Sequence, residues 1–155
     1  MGSKLIYQPL EKKHSKDIRD TYVKHFWDDH MASQSGKIPM TTTVDEWHEY
    51  YDDYDAYGIV AYDDDKLVSV YYSTKSEWTY NSDKIQGMEL LFFILPEYRN
   101  GKTFLKFLEE IENVNKQNSV DFYNLMIPYA QSALANKLSK YGFKSEAICV
   151  RKEIT

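Results

Sequence analysis

A chain of 155 residues, 43% hydrophobic and 28% charged, can bury a proper core as a single domain spanning 1–155 and is not composed like a disordered protein. Its longest apolar run, Leu90–Leu95, falls well short of the roughly 20 residues a membrane helix needs, and Met1-Gly2-Ser3-Lys4 lacks the apolar stretch of a signal peptide. The net charge of −5 argues against nonspecific nucleic-acid binding, while a single cysteine, Cys149, excludes an internal disulfide and a cysteine-built zinc site and points to the cytoplasm.

In chain order, Lys4 to Leu10 reads as a short first strand. Lys13 to about Asp29 reads as a helix, with Ile18, Tyr22, Val23 and Phe26 on one stripe. Met31 to Met40, with Gly36 and Pro39, reads as a loop. Thr43 followed by Glu46 has the spacing of a capping box and opens a helix that runs to about Tyr54. Tyr57–Tyr62 and Leu67–Ser73 read as a hairpin around the turn Asp63-Asp64-Asp65-Lys66. A ragged polar connection is expected from Thr74 to Asp83. Ile85–Leu95 is the strongest strand and stops at Pro96. Gly101–Gln117 is helical, with Phe104, Leu105, Leu108, Ile111 and Val114 as its apolar stripe. Val120–Ile127 reads as a strand, Gln131–Lys140 as a helix stopped at Gly142, and Glu146–Ile154 as a closing strand. Strands alternating with helices imply an α/β protein with a mixed sheet covered on both faces.

Charge is unevenly placed. Ile38 to Asp65 contains no Lys or Arg but nine acids, leaving 15 acids against 19 bases elsewhere. A solvated helix face and a turn account for this most simply; an anionic lip that steers an amine or a basic peptide is the functional alternative. The four histidines (His14, His25, His30 and His48) form no ligand motif, and no metal is expected.

One segment carries chemistry: Glu89-Leu90-Leu91-Phe92-Phe93-Ile94-Leu95-Pro96-Glu97-Tyr98-Arg99-Asn100-Gly101-Lys102. A buried strand feeds a tight turn and then a helix N-terminus, whose free N–H groups and dipole suit a phosphate, with Arg99 and Lys102 adding charge. This strand-PEYR-G-helix segment resembles motif A of the GNAT superfamily of acetyl-CoA-dependent N-acetyltransferases. The tail ALANKLSKYGFKSEAICVRKEI resembles that family's closing helix, Gly-Phe turn (Gly142-Phe143) and last strand. The order of elements matches over nearly the whole chain, with a fainter shade of the small, tyrosine-rich members found in phages.

The resemblance implies a GNAT-like fold, with a central mixed β-sheet of six to seven strands and about four helices. It implies acetyl-CoA as cosubstrate and transfer of its acetyl group to a primary amine in a ternary complex, in a family that often forms homodimers. Backbone groups of Phe93, Ile94 and Leu95 would pair with the pantetheine arm. Arg99, Asn100, Gly101, Lys102, Thr103 and Phe104 would form the pyrophosphate loop, and Gln131 falls where the family often has an Asn near the pantetheine. Glu89 matches the place of a general base, and a carboxylate among apolar neighbours has the raised pKa that a base needs. Strand alternation puts Glu89, Leu91, Phe93 and Leu95 on one face and Leu90, Phe92 and Ile94 on the other.

The chain departs from the family at three places. Lys102 and Phe104 stand where the loop has small residues, which places a bulky ring where the cofactor approaches. Leu138 stands where the family keeps its tyrosine acid; Tyr141 is the nearby phenol carried as candidate. These departures, with the Tyr/Asp-rich surface, motivate the alternative of a catalytically inactive GNAT-like protein that acts through protein contact. Trp47, Tyr50 and Tyr54 either line an acceptor pocket or, as is favoured, pack their helix on the sheet. Cys149 reads as a small core residue rather than a nucleophile.

Overall fold

The computed structural model describes residues 4–27, 41–127, 131–148, 150, 152 and 154. Among them run β1 (Ile6–Pro9), α1 (Ser15–His25), α2 (Val44–Asp53), β2 (Ala56–Asp63), β3 (Lys66–Trp78), β4 (Asn81–Ile94), α3 (Gly101–Gln117), β5 (Phe122–Tyr123) and α4 (Ser132–Ser139). Single 3-10 turns precede α1 and follow β4. The five strands form one mixed sheet in the order β1-β2-β3-β4-β5. Its first three pairings are antiparallel, and β4–β5 is parallel.

Both faces of the sheet are covered. Ile18 of α1 and Trp47 of α2 pack with Val60, Val70, Tyr72, Leu91 and Phe93 on one face. Phe107, Ile111 and Val114 of α3 pack with Tyr57, Ile59, Tyr71 and Ile94 on the other. Each such side chain contributes roughly 1.5–3 kcal/mol on leaving water. The Thr43 capping box forms as its spacing predicts: Thr43 Oγ1 accepts from Glu46 N–H at 3.2 Å, and Glu46 Oε2 accepts from Thr43 N–H at 2.6 Å.

The structure corrects several expectations. The sheet has five strands among the described residues, not six to seven. Residues 143–148, 150, 152 and 154 form no strand, and Ile148, Val150 and Ile154 are over 80% exposed. Cys149 and the loop Met31–Met40 lie outside the described residues. The expected strand Val120–Ile127 shrinks to Phe122–Tyr123, because β5 leaves the sheet after two paired residues. The polar connection Thr74–Asp83 is instead the far end of a long β3–β4 hairpin turning at Thr79-Tyr80; cross-strand backbone pairing carries a sequence with little apolar alternation. Leu90 packs with Leu91 and Phe93 rather than opposite them. A bulge explains this: the register steps from Tyr72↔Leu91 to Ser73↔Glu89, leaving Leu90 unpaired.

Behind β4, a buried polar group ties α3 to the sheet. Asn115 Oδ1 accepts from Tyr57 Oη–H at 2.5 Å, and Asn115 Nδ2 donates to Tyr71 Oη at 3.2 Å and to the Ile111 carbonyl at 2.9 Å. Gly87 makes room for it, since a Cβ there would lie 2.1 Å from Tyr57 Oη. Gly87→Ala is therefore expected to cost about 1–3 kcal/mol in urea denaturation, and Tyr57→Phe, by removing the obstructing oxygen, to recover part of that loss.

Candidate active site

The site begins where β4 and β5 part. The parallel ladder covers only Gln86↔Phe122 and Gly87↔Tyr123, whereas β4 continues to pair with β3 as far as Ile94↔Ser69. Among the described residues, no strand pairs with that side of β4 beyond Glu89, which leaves an opening there. Leu95 N–H donates to the Val68 carbonyl at 2.9 Å. Antiparallel alternation then turns the backbone groups of Phe93 and Leu91 toward β3 as well, and those of Phe92 and Ile94 toward the opening.

Glu89 lies at the head of this opening. It is 6% exposed, and its Oε2 accepts from Met126 N–H at 3.3 Å. Burial raises its pKa from the ordinary 4.5 to about 7, against the opposing pull of the Met126 amide. Its charge is felt by the phenols of Tyr22 on α1 and Tyr71 on β3, both themselves raised chiefly by burial. Phe93 is a core residue whose ring lies 4.6 Å, centroid to centroid, from that of Phe26 at a tilt of 39°.

The loop that follows is partly self-satisfied. Arg99, though exposed, folds back on the end of β4: its Nε donates to the Ile94 carbonyl at 2.8 Å, and its guanidinium sits 6.0 Å from the centre of the Phe26 ring. Asn100 caps α3, with Oδ1 accepting from Thr103 N–H at 2.9 Å, while Phe104 N–H donates to the Asn100 carbonyl. The amides of Gly101 and Lys102 remain at the helix start, and a Cβ on Gly101 would meet nothing within 4 Å. Phe104 does not block this face, because its ring packs inward against the Tyr71–Phe107–Ile111 core.

Other expected residues lie elsewhere. Leu138 is buried, and its carbonyl accepts from the N–H groups of Tyr141 and Phe143 to close α4, where Gly142 adopts φ +90°. Tyr141 is half-exposed on a cleft of about 270 Å³ formed with Leu105, Leu108, Tyr123 and Phe143 on the outer side of α3, a different set of residues from those around Glu89. Gln131 is exposed at the start of α4 and makes no cap bond through its side chain. Trp47 packs edge-on to Tyr72 at 6.1 Å, and Tyr50 stacks on the exposed Tyr54 at 4.4 Å, so this aromatic set mainly seats α2. Within the acidic stretch Asp52 pairs with Lys12 and Asp55 with Lys75, surface pairs worth little individually. Sequence reading missed Asn115 and Asn124. The signal for each was a polar residue inside an apolar pattern: Asn115 next to Val114 on the helix stripe, and Asn124 within the run Phe122–Ile127.

A buried carboxylate whose pKa is raised on folding carries a stability signature. Below pH 4.5 Glu89 is protonated in both folded and unfolded chains, and its contribution is intact. As pH rises through about 7 the unfolded chain ionises more readily, and roughly 3 kcal/mol is lost. Denaturation of the wild type and Glu89→Gln at pH 4 and pH 8 should show their stability difference changing by about that amount in favour of the variant.

No protein-family model and no curated protein matches the sequence. Solved structures do match. An aminoglycoside acetyltransferase from an uncultured soil metagenomic sample, in complex with sisomicin, superposes with TM-score 0.69 at 11% identity over 97% of this chain and 95% of that one. Glucosamine-6-phosphate N-acetyltransferase from Arabidopsis thaliana gives 0.67 at 12% identity over 98% and 99%. A predicted acetyltransferase from Clostridium acetobutylicum, solved with acetyl-CoA, gives 0.66 at 13% identity over 97% and 96%. The parted strands, the buried carboxylate between them and the turn into α3 thus sit in the fold of the GNAT N-acetyltransferases.

Proposed function

We propose that the chain is an acetyl-CoA-dependent N-acetyltransferase acting on a primary amine, with Glu89 as general base. The observation that carries this reading is the position of Glu89: a buried carboxylate with a pKa of about 7, at the point where β4 and β5 separate. At neutral pH it is partly ionised, which suits a group that must accept a proton from an ammonium and release it again. The backbone N–H groups of β4 that face the opening are donors for negative charge developing on an acyl oxygen.

The residues present fit the cosubstrate. The backbone of Phe92 and Ile94, rather than that of Phe93 and Leu95, would hold the pantetheine arm, because only the former pair faces the opening. The amides of Gly101 and Lys102, the Lys102 side chain and Thr103 would meet the pyrophosphate, where Gly101 leaves open space. When bound, acetyl-CoA supplies the activated thioester. Arg99 would act mainly by fixing the end of β4 through the Ile94 carbonyl. The acid that protonates the departing thiolate has no assigned residue, since Leu138 is a core side chain.

A second reading is favoured by one observation: two donors that an anion would use are already taken, the Thr103 N–H by Asn100 Oδ1 and the Arg99 Nε–H by the Ile94 carbonyl. In that reading the protein keeps the fold and works by protein contact. Calorimetry separates the two. Acetyl-CoA is expected to bind with Kd near micromolar, about −8 kcal/mol, and Arg99→Ala to weaken it about tenfold, the scale of one charge-assisted hydrogen bond. No heat at millimolar acetyl-CoA favours the binding protein. With an amine acceptor found by screening, Glu89→Gln should lower kcat by roughly 10²–10⁴ at neutral pH and remove the acid limb of the pH–rate profile near pH 7; unchanged turnover removes Glu89 as the base.

A further inference from the structure

The end of the β4–β5 ladder has an unusual bonding pattern. Asn124 N–H donates to the Gly87 carbonyl at 3.2 Å, a regular rung of a parallel pair. Continued along the same strands, the next two rungs would be Glu89 N–H to the Asn124 carbonyl and Met126 N–H to the Glu89 carbonyl. Both donors are used, but neither takes the backbone acceptor. Glu89 N–H donates to Asn124 Oδ1 at 3.0 Å, and Met126 N–H donates to Glu89 Oε2 at 3.3 Å. In each rung the residue's own side-chain oxygen has replaced its carbonyl.

We propose that Asn124 is a positioning residue, whose side chain, with that of Glu89, forms two side-chain rungs that hold β4 and β5 apart and fix the Glu89 carboxylate at the head of the opening. A side-chain acceptor reaches farther from its strand than a carbonyl does, so each rung spaces the strands while still satisfying the buried donor. A buried Glu89 N–H left without an acceptor is unfavourable, which keeps the Asn124 amide in place. Its other end is oriented by Nδ2, which donates to Met88 Sδ at 3.4 Å. An apolar residue at 124 offers no acceptor. An Asp offers one, but sets a second negative charge beside Glu89. Without the Asn124 rung the regular backbone rungs can re-form, narrowing the opening and freeing the carboxylate from Met126.

The inference rests on the reading of Glu89 as base only for its kinetic consequence, and its geometry is tested separately. Among the described residues, the titratable groups facing Glu89 are the phenols of Tyr22 on α1 and Tyr71 on β3, both raised above the ordinary phenol value and neutral through the range used. In isotope-labelled full-length protein titrated from about pH 5 to pH 9 by NMR, the Met126 amide proton should shift with the same midpoint, near 7, as the Glu89 carboxyl carbon. The shift should vanish in Glu89→Gln. In Asn124→Ala the Met126 amide should lose its titration, and kcat should fall about tenfold or more. Asn124→Asp, which keeps the acceptor, should retain the coupled titration and raise the midpoint by about a unit; this variant and the wild type decide the matter if Asn124→Ala does not fold. A Met126 amide that does not titrate in the wild type, or titrates unchanged in Asn124→Ala, overturns the inference. Coupled titration without a matching shift in the acid limb of the pH–rate profile supports the rungs and removes Glu89 as the base.

Discussion

Everything around the candidate site follows from one constraint on β4: it stays paired with β3 as far as Ile94 but keeps β5 for only two residues. The backbone groups it leaves unpaired would be costly inside a closed core. Here they border the gap between the parted strands, where, under the proposed function, a ligand's own polar groups would complete the sheet. The Leu90 bulge is part of the same arrangement. Before it, Gly87 and Glu89 turn their backbone groups to β5; after it, Phe92 and Ile94 do, with Ile94 handing its carbonyl to Arg99. The 3-10 turn at Pro96–Tyr98 then redirects the chain so that α3 starts close to the end of the parted strand.

Such a gap weakens a sheet, and the surrounding packing offsets it. Two apolar layers clamp β4, one from α1 and α2 and one from α3. The Tyr57–Asn115–Tyr71 group locks α3 to β2 and β3 on the face behind the gap, and every member has partners within the group. Among the described residues, the buried Glu89 carboxylate has one backbone donor, the Met126 amide, and no counter-ion. Glu89 costs stability at neutral pH and gains a proton affinity in the range useful for acid–base chemistry. Glu89 is the one buried carboxylate among the described residues, and the other buried polar side chains, Asn115 among them, are uncharged amide, hydroxyl and imidazole groups.

Under the proposed function, the helix start after β4 divides its groups between folding and a ligand. Asn100 spends its side chain on Thr103 N–H, which secures α3 in the free protein, and Arg99 secures the end of β4. Two amides and an exposed lysine are left for an anion. This is a leaner seat than a glycine-rich loop, and it explains how Phe104 is accommodated: its ring serves the core, and only its backbone belongs to the loop.

Much of this was legible in the residues. Helix periodicity located α3, the Thr43–Glu46 spacing located the cap of α2, and a carboxylate beginning an apolar strand before a Pro-Glu-Tyr-Arg turn located both the candidate base and the helix start. These are local patterns, set by side-chain spacing within a few residues of one another. The length of the β3–β4 hairpin, the Leu90 bulge, the early departure of β5 and the folding back of Arg99 onto the Ile94 carbonyl are not local. Each depends on which backbone groups find partners on a distant strand, and one register step reverses the direction of every group beyond it. Asn124 shows the division most clearly. Its sequence marks only a polar residue in an apolar run; that its side chain replaces its own carbonyl as the partner of Glu89 was decided by bringing residues 35 positions apart into adjacent strands.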